Sequence, residues 1–294
     1  MDWIQGNKFQ EMATFTYCPA NRHQDDYYGF PSTLQVDRLK DNDTIFTHPF
    51  YVSELFDIIR SLNVRVIVIT HNGDNRIDSD GVVSLDGRGN VIKVEPYFLP
   101  DNLIMWYAQN VNTIDSRIES IPIGLENNIW QPHENKKEKM IVKLKEPRRY
   151  KNLVYMNHNI ATNPAKREEP YKLLKDKEWV TCEMGSNGHG FDEYLDNIYN
   201  HKFVVCPEGN GVDTHRVWEC LYMGSIPIVE DNISAELLYS YFPCLIAHEG
   251  WMSLDDISLK WEFKVITDIK GGTDIHNEML TFGYWKNKIN NVNV

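Results

Sequence analysis

Buried-looking runs and amphipathic runs alternate along most of this chain. The segment YVSELFDIIRSL (51–62) repeats apolar residues at helical spacing, with Ser53 or an earlier residue near its start. VRVIVIT (64–70) follows, apolar at nearly every position, the pattern of a parallel strand covered on both faces. HNGDNRIDSDG (71–81) predicts a loop, LIMWYAQNV (103–111) a helix or turn, and IESIPIGL (118–125) a strand. The first fifty residues are turn-rich, and only DTIFTHPF (43–50) predicts a short strand there.

Basic residues cluster around a weak apolar stretch in HENKKEKMIVKLKEPRRYK (133–151), which reads as a solvated linker or helix face and marks the expected boundary. A second α/β pattern then begins. NLVYMN is a strand, and TNPAKREEPYKLLKD a helix with Thr162 or Asn163 as cap and Pro164 in its first turn. WVTCEM predicts a strand, GSNGHG a loop, FDEYLDNIYNH a helix and KFVVCP another strand. THRVWECLYMG predicts a helix closing at Gly224, and SIPIVED the strand after it. The tail, from ISLKWEFKVI to LTFGYWKNKI, is helical in part. The expected class is α/β, with two doubly wound halves, 1–145 and 146–294, and a last helix able to pack back on the first.

Hydrophobic residues at 42% and charged residues at 24% fit an ordinary folded, soluble protein. A net charge of −12 argues against nucleic-acid binding and against adhesion to anionic membranes. It leaves room for an anionic ligand, which a few arginines and a helix N-terminus suffice to hold. The five cysteines are scattered, without CxxC or zinc spacing, and read as reduced thiols of an intracellular chain. With neither a signal-peptide pattern nor an apolar run of ~18 residues, the expected location is cytoplasmic, without membrane insertion.

The chemistry concentrates in CPEGNGVDTHRVWECLYMGSIPIV (206–229). A strand ends in a Gly-containing loop, with Asp213 as expected N-cap and a helix from about Thr214. In an open α/β sheet this loop borders the ligand crevice, and the helix N-terminus adds partial positive charge. His215, Arg216 and Glu219 share one helical face, while Val217, Cys220 and Leu221 turn towards packing. Phosphate and vicinal hydroxyls together would satisfy that set: Arg216 on phosphate, Glu219 on ribose hydroxyls, and His215 on a second phosphate oxygen. An Arg216–Glu219 ion pair on an exposed helix is the plainer alternative.

FVVCPEGNGVDTHRVWECLYMGSIPIV resembles the nucleotide-sugar-binding segment of exostosin-like glycosyltransferases, those of glycosyltransferase family 47. MWYAQNV and SIPIGLEN carry a looser likeness, and the first fifty residues and the tail carry none. The resemblance implies a GT-B fold, two Rossmann-like domains facing across a cleft. It also implies a nucleotide-diphosphate donor, UDP-linked, held mainly by the second domain, with metal-independent inversion and a glycan or glycoprotein acceptor. It points further to glycosyltransferases of large DNA viruses that build capsid glycans in host cytoplasm, with xylose as donor sugar. The donor set is then Asn210, Gly211, Asp213, Thr214, His215, Arg216 and Glu219, joined by Asn159, Asn163 and Arg167 from the loop and helix after NLVYMN. No further cofactor is expected.

In that architecture the base comes from the first half. VIVITHNGDNR offers Asp74 as base and His71 to orient the acceptor, or the reverse, although Asn72-Gly73 is also an ordinary turn signal. Asp25 and Asp26, with Tyr27 and Tyr28 as stacking surfaces, form a second acceptor-side candidate. EMGSNGHG lacks dinucleotide-fingerprint spacing and reads as a cleft loop. DND (41–43) and DSD (78–80) could be metal-binding Asp-x-Asp motifs, but neither follows a convincing strand, and no metal is expected. A sugar-nucleotide epimerase and a non-catalytic nucleotide-sugar- or glycan-binding protein are the rival functions.

Overall fold

The computed structural model describes residues 1–19, 30–86, 88–127, 135–183, 190–269 and 277–292. Five parallel strands, β1 (Phe15–Tyr17), β2 (Thr44–Thr47), β3 (Val66–Thr70), β7 (Leu103–Ala108) and β8 (Ile118–Ser120), form one sheet in that order. Between β3 and β7 the chain builds a small antiparallel sheet from β4 (Arg76–Asp78), β5 (Gly81–Leu85) and β6 (Val91–Glu95). The second parallel sheet has the order β10 (Val180–Cys182), β9 (Asn152–Met156), β11 (His201–Val205), β12 (Ile226–Glu230), β13 (Leu245–Ala247). Among the described strands, the reversal that defines double winding belongs to this second sheet, between β9 and β11. The first sheet runs in one direction, so the expectation of two doubly wound halves holds for one.

Period-two alternation explains why these strands look apolar throughout. In β3, Val66 and Val68 enter a core with Leu55, Phe56 and Ile59 of α2 (Val52–Arg60), while Ile67 and Ile69 point the other way. β11 behaves alike: Phe203 and Val205 face Leu259 and Ile266 of α8 (Asp256–Ile269), and Val204 faces the opposite core. That central core is shared. Ile67, Ile69 and Tyr107 meet Trp218, Leu221 and Tyr222 of α6 (His215–Met223) and Leu238 of α7 (Ile233–Tyr239).

Several elements differ from the sequence expectation. LIMWYAQNV is β7 over Leu103–Ala108, because these residues, five of the six buried, satisfy their backbone between β3 and β8. IESIPIGL is a strand only over Ile118–Ser120, Pro122 having no N–H to continue the ladder. The first fifty residues contain α1 (Gly6–Met12) as well as β1 and β2. The basic boundary segment holds α3 (Lys136–Lys143), packed on α5 (Phe191–Asn200) through Met140 and a Lys143–Asp196 pair at 2.5 Å. The last helix, α9 (Phe282–Asn290), packs on α1, with Phe282 against Phe9 at 5.2 Å between centroids. Among the described residues, no helix is long and apolar enough to cross a membrane.

One buried carboxylate ties the sheets together. Asp213 accepts from Trp218 Nε1 at 2.8 Å, from Tyr239 Oη at 2.7 Å and from the Ile123 N–H at 2.7 Å, on the far side of the interface. Its backbone N–H donates to Asn110 Oδ1 at 2.9 Å, and Ser234 Oγ donates to Val111 O. The segments leaving β7 and β8 therefore meet the segment leaving β11, C-terminal edge to C-terminal edge.

Burial sets the pH response of this fold. It lowers the pKa of His48 to about 3, His71 and His158 to about 4, and holds His201 below its ordinary range. Unfolding returns these imidazoles to a pKa near 6.5, so their stabilisation is present above that value and is lost as pH falls towards 4. Asp213 opposes them, because burial raises its carboxyl to about 6, so its protonation favours the folded state as pH falls. Urea unfolding should therefore give a free energy that falls from pH 7 to pH 5, and falls more steeply in Asp213→Asn.

Candidate functional site

Loops leaving the two strands at a reversal diverge and open a crevice. Here those strands are β9 and β11, and segments 157–163 and 206–214 border it. Asn163, the N-cap of α4 (Pro164–Leu174), donates from Nδ2 to Gly209 O at 2.7 Å, while its Oδ1 is buried without a partner. His158 donates from Nε2 to Arg167 O at 2.9 Å, which leaves Nδ1 a bare acceptor, also buried and unpartnered. Thr214 is the N-cap of α6, yet its hydroxyl caps nothing and Oγ1 has no partner. Arg216 lays its guanidinium 5.2 Å from the Tyr194 ring centroid, and its Nη1 is buried unpaired.

Buried polar atoms are almost always hydrogen-bonded, and each orphan costs about 1–3 kcal/mol. Three of them lie on these two segments and the fourth, Arg216, in the first turn of α6. Positive charge gathers with them. Arg167 donates Nε to Glu208 O at 2.8 Å and Nη1 to Asn159 O at 3.0 Å, so these bonds go to carbonyls rather than carboxylates. Burial, and then the charge of Arg216, lower Arg167 to about 10. Two guanidinium groups close enough to repel, beside bare acceptors, suit a ligand that brings both anionic oxygens and hydroxyl groups.

The expected donor residues divide. Glu219 accepts from Tyr194 Oη at 2.6 Å, so Tyr194 links it to Arg216 in place of a direct ion pair. His215 donates from Nδ1 to Gly124 O at 2.7 Å and so faces the first sheet. Asp213 is not the helix cap: its carboxylate is taken by Ile123, Trp218 and Tyr239, a joint rather than a ligand group. Asn159 caps the 160–162 turn through the Ala161 N–H at 3.0 Å. Gly211 allows close approach, since a Cβ there would lie 2.8 Å from Asn110 Nδ2. Asn210 lies near Asp74 across the interface and lowers its pKa.

On the first-sheet side a cavity of about 300 Å³ is lined by Asp74, His71, Gln109, Glu126 and His215, among others. The chain turns into it through Asn72, whose φ of 63° is the left-handed conformation that asparagine tolerates. His71 is fully committed: Nε2 donates to Pro122 O at 3.0 Å, and Nδ1 accepts from the Asn72 N–H at 2.7 Å. It holds the loop in shape and has no nitrogen left for an acceptor. Asp74 keeps an exposed surface, yet partial removal of its carboxylate from water raises its pKa, offset in part by His215 and Asn210.

Asp25, Asp26, Tyr27 and Tyr28 lie outside the described residues, as does most of EMGSNGHG. The Asp-x-Asp motifs have local partners. Asp41 and Asp43 accept from the Arg65 and Lys40 N–H groups, and Asp78 pairs with Arg76 and Asn112. Sequence reasoning missed His158, Tyr194 and Gln109. A histidine two residues past a strand at the sheet reversal was the legible signal for the first; nothing in the sequence marks the other two.

A family model described as the RXYLT1 C-terminal domain, a xylosyltransferase-related domain, matches residues 166–239. That is about a quarter of the chain, from the first turn of α4 to the end of α7, and it contains Arg167, the 206–214 loop, Arg216 and Glu219. The match supports a glycosyltransferase-like relationship. No curated protein sequence matches the chain.

A ligand for this cluster should be detectable without knowing the reaction. Millimolar inorganic pyrophosphate should raise the melting temperature of the wild type, since it binds the native state, and Arg216→Met should abolish the shift.

Proposed function

We propose that the chain is a glycosyltransferase that transfers a sugar from a nucleotide-diphosphate donor to a hydroxyl of a glycan. The two parallel sheets act as the facing halves of a GT-B arrangement, divided near the 133–151 segment, with the donor on the second. The observation that carries the reading is the unpaired, buried Arg216 Nη1 at the sheet reversal, inside the segment that matches a xylosyltransferase-related domain. Xylose is the sugar that the match favours, and uridine diphosphate is its carrier in this reading.

The roles follow from charge and position. As the bond from the anomeric carbon to the diphosphate breaks, negative charge grows on the leaving oxygens. Arg216, Arg167 and the N–H groups of the α6 N-terminus meet it, which makes a metal unnecessary for that task. His158 Nδ1, Asn163 Oδ1 and Glu219 accept from hydroxyls of the nucleotide sugar. Asp74, across the α6 N-terminus, takes the proton from the attacking acceptor hydroxyl, and attack from the face opposite the leaving group inverts the anomeric carbon. Asp74 acts only when ionised, so its raised pKa gives an acid limb to the rate.

Purified protein incubated with a panel of nucleotide sugars should release free nucleoside diphosphate from at least one of them. With that donor, Arg216→Met should lower kcat/KM about 100-fold and Asp74→Asn should lower kcat by about 100-fold or more. The wild-type rate should rise with pH through the raised Asp74 pKa. Full activity in Arg216→Met, or no nucleoside diphosphate from any donor, contradicts the reading.

A further inference from the structure

Gln109 follows β7, is 1% exposed, and borders the cavity beside Asp74. Its N–H donates to Thr70 O at 3.2 Å, but its side-chain Oε1 is enclosed with no partner. The neighbouring amides are all in use: Asn110 bonds Gly73 O and the Asp213 N–H, and Asn72 Oδ1 accepts from Asn127. If packing were its only role, leucine or methionine would fill the same volume without burying an unmet amide.

We propose that Gln109 is a specificity residue for a neutral sugar ring seated in this cavity, its amide pairing with a ring hydroxyl. The proposal rests on the glycosyltransferase reading and adds to it the class of ring that is accepted. Charge selects that class. The lining carries the carboxylates of Asp74 and Glu126, the second paired with Lys136 at 3.2 Å. A phosphorylated or uronic ring would set negative charge against Asp74, whereas a neutral polyol offers hydroxyl donors to both Asp74 and Gln109. At about 300 Å³ the space lies at the low end for ligand sites and suits one ring, not an oligosaccharide. The ring is either the sugar being transferred or the terminal sugar of the acceptor; the chemistry is the same.

Calorimetric titration of wild type and Gln109→Leu with UDP, UDP-xylose, UDP-glucose, free xylose, free galactose and glucuronate tests this. Wild type should bind a neutral sugar, or bind a UDP-sugar more tightly than UDP, and should not bind glucuronate. Gln109→Leu should weaken that sugar-dependent affinity tenfold or more. Loss of the gain of UDP-sugar over UDP identifies the transferred ring, and loss of free-sugar binding identifies the acceptor ring. Without ligand, the variant should melt at or above the wild-type temperature, because it removes an unmet buried amide. Equal sugar affinity in the two proteins overturns the proposal, as does a variant that melts several degrees lower with every ligand weakened alike. Gln109→Met serves in the same way if the leucine variant does not fold. Failure of UDP to bind wild type would tell against the glycosyltransferase reading instead, and the free-sugar titrations would still decide the role of Gln109.

Discussion

A guanidinium withdrawn from water with one terminal nitrogen unmet is the constraint around which this molecule is arranged. Removing a charge from water costs several kcal/mol, and a protein usually recovers that by placing a carboxylate against it. At Arg216 the nearest carboxylate, Glu219, is held off by Tyr194, whose hydroxyl bonds Glu219 while its ring lies under the guanidinium. The second arginine, Arg167, deepens the imbalance rather than relieving it. Such a site is stable only where the surrounding fold is rigid enough to hold it.

That rigidity comes from the joint beneath. Asp213, two residues before α6, is anchored by donors from three segments, and Asn110 fixes its backbone. The start of α6 is thereby set between the two sheets, and successive residues serve different sides. His215 reaches Gly124 and the cavity of Asp74, while Arg216 turns into the crevice at the β9–β11 reversal. A cationic crevice and a carboxylate-lined cavity then flank a single helix end. This is the polarity that a transfer reaction needs, with a departing anion on one side and a departing proton on the other.

The parts of this arrangement that could be read from sequence are those fixed by local rules. Gly224 ends α6 with a φ of 71°, as a C-terminal glycine should, and Pro164 opens α4 behind Asn163. Largely apolar runs at 64–70 and 203–205 predicted parallel strands. The spacing of Arg216 and Glu219 placed both at Tyr194, but His215, expected on the same face, turns to Gly124 and the first sheet. What failed had no local signature. LIMWYA has the length and aromatic content of a strand, but periodicity alone cannot separate a short buried strand from a buried helix turn. The β4–β6 sheet begins with a three-residue strand, Arg76–Asp78, too short to show a period, inside a segment rich in turn residues. Asp213 looked like a cap because its partners, Ile123 and Tyr239, are distant in sequence. His71 looked available because nothing local reveals that Pro122 O takes its second nitrogen. Whether a polar group is met or unmet is a tertiary property, and it is what separates Arg216 and Gln109 from ordinary polar residues.

The most direct measurement is a crystal structure of the protein grown with uridine diphosphate. The account predicts diphosphate oxygens within hydrogen-bond distance of Arg216 Nη1, at the N-terminus of α6, with Thr214 Oγ1 and His158 Nδ1 also engaged by the nucleotide. A nucleotide bound elsewhere, with Arg216 turned to a carboxylate of the protein itself, would contradict it.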